Sequence, residues 1–139
     1  MPTRKAPDPA EVRRLVERVA AHLEADDPAS APAPPRAELA AAVRATVAVL
    51  ATEAPGHAVE VRVPPFAAVQ CVDGPRHTRG TPPNVVETDP LTWLRLATGV
   101  TTWDEARAAG SVQASGTRAA EVAALLPVVR LRPGGPGAG

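Results

Sequence analysis

The hydrophobic period of the chain changes at Pro55-Gly56, and this change does most to decide what the chain can fold into. Before it, Leu39, Val43, Val47 and Leu50 recur at three- and four-residue spacing, which predicts a helix over about 36–53 with one buried stripe. After it, Val59, Val61 and Val63 alternate with Glu60 and Arg62, the pattern of a half-buried strand. Pro64-Pro65-Phe66 turns the chain, residues 67–72 read as the returning strand, and Asp73-Gly74-Pro75 turns it again. Helical and strand periods in succession within one short chain predict an α+β domain.

Capping chemistry places the remaining elements. Asp8-Pro9-Ala10-Glu11 starts a helix over 8–25, with Asp8 accepting from free backbone N–H groups, Pro9 at the first helical position and Glu11 set for a capping box. Val12, Leu15, Val16, Val19 and Leu23 form its apolar stripe. Residues 84–88 read as a strand. Asp89-Pro90 then opens an unusually apolar helix around Trp93 that closes at Gly99. Thr102 and Glu105 form a second capping box, residues 111–115 read as a strand, 118–126 as a helix, and 128–131 as extended. The organisation is thus an N-terminal amphipathic helix within 1–26, an Ala/Pro linker over 27–35, a domain over 36–131 and a Gly/Pro tail over 132–139.

Composition narrows the partners. The formal net charge is zero, which removes the electrostatic case for nucleic acid, and the first helix is not basic enough to favour a membrane surface. No stretch approaches the ~18 apolar residues of a membrane span, so no stable membrane insertion is expected. The N-terminus lacks the apolar run of a secretory signal and Cys71 is the only cysteine, so a cytoplasmic location without disulfides is expected.

Residues 84–116 carry a resemblance to a known fold. An extended segment leads into a capped helix ending in Gly99; a short helix with Trp103 and Ala106 follows, then Gly110, a strand with Val112 and Ala114, and Gly116. This order resembles the C-terminal half of the sterol-carrier-protein fold, and the helix and hairpin over 36–72 match its N-terminal half in order. The string Asp73 to Pro90, D-G-P-R-H-T-R-G-T-P-P-N-V-V-E-T-D-P, resembles an actinobacterial branch of that family. The resemblance covers roughly 36–131. It implies a curved, mainly antiparallel sheet of about five strands covered by helices, with an apolar tunnel between them that in some members holds sterols or fatty acyl chains.

On that reading Val61, Val69, Cys71, Val85, Trp93, Leu96, Trp103, Val112 and Leu125 are the tunnel candidates, and the same residues would equally serve as an ordinary core. Arg76, His77 and Arg79 are the candidates for an anionic head group, with a solvated loop as the plainer alternative. Burying about ten ligand methylenes contributes ~8 kcal/mol before association costs, which limits acyl binding to micromolar or weaker. Cys71 and His77 lack an orienting group or an oxyanion donor, His22, His57 and His77 have no metal-ligand spacing, and no phosphate loop is present. The expectation is therefore a non-enzymatic, cofactor-free and metal-free protein. It binds a fatty acyl or sterol-like lipid or, with a filled core and no lipid, serves as an interaction module for a protein partner.

Overall fold

The computed structural model describes residues 6–25, 33–74 and 84–131. Arg76, His77 and Arg79, most of the 27–35 linker and the 132–139 tail lie outside them. The elements run α1 (Pro9–Glu17), α2 (Ala20–Glu24), α3 (Arg36–Glu53), β1 (Val59–Val63), β2 (Ala67–Cys71), β3 (Val85–Thr88), α4 (Pro90–Thr98), α5 (Trp103–Ala108), β4 (Val112–Ser115) and a 3-10 helix (Ala119–Leu125).

One sheet of order β2-β1-β3-β4 forms the floor of the molecule, and its β1–β3 pairing is parallel while the other two are antiparallel. The register pairs Val61 with Val69 and Val86, and Val86 with Ala114. Because directly paired residues share a face, Val59, Val61, Val63, Cys71, Val86 and Val112 all point to one side, where they are buried. The opposite face carries Glu60, Arg62, Gln70, Glu87 and Gln113; Arg62 pairs there with Glu60 at 2.8 Å. Helices α3 and α4 close the buried side, with α3 against β2 and α5 against β4.

Among the described residues the strand count is four, where the sequence suggested about five. The difference lies in residues 128–131. The Val128 and Val129 N–H groups donate to the Ala97 carbonyl at 2.8 and 3.0 Å, so this segment is held by the last turn of α4 and does not extend the sheet. The helix expected at 118–126 is a 3-10 helix. It stops where Pro127 removes an N–H donor and forces Leu126 into an extended conformation.

The single helix expected over 8–25 is two. Backbone bonds from Val19 N–H to Val16 and from His22 N–H to Val19 span three residues, which tightens the chain around Val19 and separates α1 from α2. Val12, Val16, Val19 and Leu23 are nevertheless all buried, so the apolar stripe survives the break. Asp8 caps α1 as expected, but Glu11 pairs with Arg14 rather than completing a capping box. Around Trp93 the local signals hold closely: Asp89 caps α4, Gly99 ends it in the left-handed conformation at φ 83°, and Thr102 with Glu105 forms a complete capping box. No helix among the described residues is long and apolar enough to cross a membrane.

Candidate ligand site

The residues expected to line a tunnel separate into three environments. Val61, Cys71, Trp93, Leu96 and Val112 belong to one buried cluster, and Val69, Trp103 and Leu125 pack against its edge half-buried. Val85 stands on the other face of the sheet, where it lines a shallow cleft with Glu87 and Gln113; its neighbour Val86 takes the inward position. The buried cluster is continuous. Val61 and Cys71 are 0 % exposed, and the Trp93 indole N–H donates to the Thr46 hydroxyl at 2.8 Å between α4 and α3. Thr46 in turn donates to the Ala42 carbonyl at 2.8 Å. A polar contact of this kind joins the two helices within the buried region.

Two clefts lie on the helical side, on both flanks of the segment that α4 captures. The larger cleft, about 690 Å³, has walls from three distant parts of the chain: Pro9, Val12 and Arg13 of α1, Val49, Thr52 and Glu53 at the end of α3, and Val128 to Arg130. Its lining is mostly apolar. The Arg13 guanidinium donates through Nη1 to the Arg130 carbonyl at 2.7 Å, which ties α1 to the C-terminal segment across this cleft. The smaller cleft, about 380 Å³, is lined by Leu96 and Trp103 among others and shares Arg130 with the larger one. Of the tunnel candidates, then, Leu96 and Trp103 meet at a cleft, and the larger cleft contains none of them.

Val12, Val49, Val128 and Val129, which line the larger cleft, were not among the expected residues because each is unremarkable in its own segment. Val49 offers the one local sign: it is an apolar residue off the α3 stripe of Leu39, Val43, Val47 and Leu50, and it remains half-buried. Which segments it would meet is a non-local fact.

Burial pushes the Cys71 thiol up to about 11, so at neutral pH it is a protonated, inaccessible group with no nucleophilic character. Among the described residues no group of three or more His, Cys, Asp or Glu side chains could hold a metal ion.

The family model described as "Bacterial SCP ortholog" matches residues 35–128, about two thirds of the chain. No curated protein matches. The matched region begins just before α3 and ends at Val128, so one wall of the larger cleft, α1, stands outside it.

Proposed function

The chain belongs to the bacterial family of sterol-carrier-protein orthologues, and we propose that it adopts the sterol-carrier-like fold and binds one apolar, acyl-type ligand non-covalently without transforming it. The observation that carries this reading is the larger cleft. Its volume, about 690 Å³, falls within the ~300–1,000 Å³ of small-molecule sites, and like them it is mostly apolar with a few polar groups at its edge. A ligand enclosed between sheet and helices would have to part Trp93 from Thr46 and open the cluster around Val61 and Cys71. The cleft needs no such opening, so it is the more economical place for the ligand.

A fluorescence titration of the delipidated protein with an environment-sensitive fatty acid tests the proposal. The expected result is saturable one-to-one binding that unlabelled acyl chains displace, at micromolar affinity or weaker. Absence of saturable binding would remove the carrier reading. One observation favours a second reading, a protein-interaction module without lipid: the interior that relatives are expected to keep open is here a continuous packed cluster. That reading predicts no displacement by any lipid.

A further inference from the structure

We infer that the corner where the turn between β1 and β2 meets α3 is a docking site for an acidic segment of a partner protein, gripped by Arg36 and Arg44 beside Phe66. The corner shares no lining residue with the larger cleft, so it stands with either reading of that cleft. Phe66 is the only phenylalanine of a chain poor in aromatics, and it stands at a turn, half-buried behind the exposed Pro64 and Pro65. Two arginines of α3 converge on it. The Arg36 guanidinium lies over the ring, 5.0 Å from its centroid, and the Arg44 Nε donates to the Phe66 carbonyl at 3.3 Å. Both arginines are exposed, and neither pairs with a carboxylate among the described residues, whereas Arg14, Arg62 and Arg118 each do. A ring beneath one guanidinium and a carbonyl against the other hold the pair in place before a partner arrives, which lowers the ordering cost of binding.

The spacing of the arginines selects the form of the partner. The helical rise between positions 36 and 44 sets their Cα atoms about 12 Å apart. In an extended chain residues i, i+2 and i+4 face the same way, and the outer two are ~13 Å apart. Carboxylates at i and i+4 therefore meet the two guanidinium groups, each as a planar, bidentate acceptor. An apolar residue at i+2 meets Phe66 and the cleft of about 460 Å³ that it lines with Pro64, Pro65, Ala67 and Ala68. A long polyanion fits less well. Arg62, the third arginine at this corner, is already taken by Glu60 at 2.8 Å and Glu87 at 3.9 Å. The phosphates of a nucleic acid or an anionic membrane would therefore meet carboxylates next to Arg36 and Arg44, whereas a short acidic peptide avoids them.

The test is fluorescence anisotropy of the full chain with a labelled peptide built on Glu-Ala-Leu-Ala-Glu, at low ionic strength. Saturable one-to-one binding is expected, with a loss of about tenfold when either glutamate of the peptide is replaced by glutamine. Arg36→Gln and Arg44→Gln should each lower affinity about tenfold, and the double variant about a hundredfold. Arg107→Gln, at an exposed arginine of α5, should leave affinity unchanged. All three positions are exposed, so each variant should keep the wild-type Tm. No saturable binding to wild-type protein, unchanged affinity in both α3 variants, or an equal loss in Arg107→Gln would overturn the assignment. Tighter binding of an oligothymidylate, or of phosphatidylglycerol vesicles, than of the peptide would overturn it by giving the two arginines to another class of partner. None of these outcomes bears on the fatty-acid titration, which reports on the larger cleft.

Discussion

Trp93 is the largest fully buried side chain, and inside an alanine- and valine-rich core its indole N–H needs a partner within the protein. Thr46 supplies it, accepting from Trp93 while donating to its own helix at Ala42. Replacing Thr46 by valine preserves the shape and removes the acceptor, so the N–H is left unpaired in an apolar setting. The expected loss is about 1–3 kcal/mol in urea unfolding, and Thr46→Ser, which restores the oxygen, should recover part of it. Cys71 gives a second prediction at this scale. Its folded thiol is pushed up to about 11 from an ordinary 9.0, so the folded state keeps its proton after the unfolded state has lost it. Stability from this group is complete below pH 9 and drains away as pH rises toward and past about 11. Unfolding free energies measured across that range should fall more steeply in the wild type than in Cys71→Ala. An equal slope in both would mean that the thiol is less shielded than its full burial implies.

At the scale of elements, what could be read in advance was whatever is encoded locally. Asp89, Gly99, Thr102 and Glu105 each satisfy backbone groups within a turn or two of their own position, and α4 and α5 begin and end where these residues say. The alternation of Val59, Val61 and Val63 likewise fixed which side of β1 is buried. Pairing was not legible, since nothing near Val61 says that Val86 lies beside it in a parallel strand. The misplaced candidate follows from the same limit: with period two, a choice between Val85 and Val86 depends on a register that only the partner strand sets. The fifth strand failed for a related reason, because Val128 and Val129 were satisfied by a helix carbonyl, that of Ala97, far back in the chain. The cleft itself joins α1, α3 and the C-terminal segment, three elements whose own patterns are ordinary.

Asn84 shows how such non-local joints are held, and it yields a prediction. It is buried at the start of β3, donates through Nδ2 to the Ala58 carbonyl at 2.9 Å, and accepts through Oδ1 from the Arg118 N–H at 2.9 Å. Arg118 also donates to the Asp73 carbonyl at 2.8 Å, so one side chain and its neighbour gather the ends of β2 and β3 and the start of the 3-10 helix. Asn84→Ala strips both partners at once and should cost about 2–4 kcal/mol in chemical denaturation. Arg118→Ala, whose ion pair with Glu121 is largely solvated, should cost well under half as much. If the two variants lost equal stability, the ion pair rather than the buried amide would be the joint.

For the molecule as a whole, the decisive contrast is between a buried core cluster and a cleft at the surface, because the two respond differently to ligand. A ligand that enters the cleft binds only where α1, α3 and the Val128–Arg130 segment are assembled, and the unfolded chain offers no such surface. Mass action then stabilises the native state by about 1.4 kcal/mol at a free ligand concentration ten times Kd. For a chain of this size that is a rise in Tm of roughly 5 °C, growing with the logarithm of ligand concentration. Thr52→Trp should abolish the shift with little change in the ligand-free Tm, since position 52 is exposed. A filled interaction module predicts the opposite pattern, in which fatty acid leaves Tm unchanged or lowers it by solvating the unfolded chain. A ligand that reached the interior would show a third: a shift that survives Thr52→Trp but changes with Thr46→Val, because entry there must break the contact between Thr46 and Trp93.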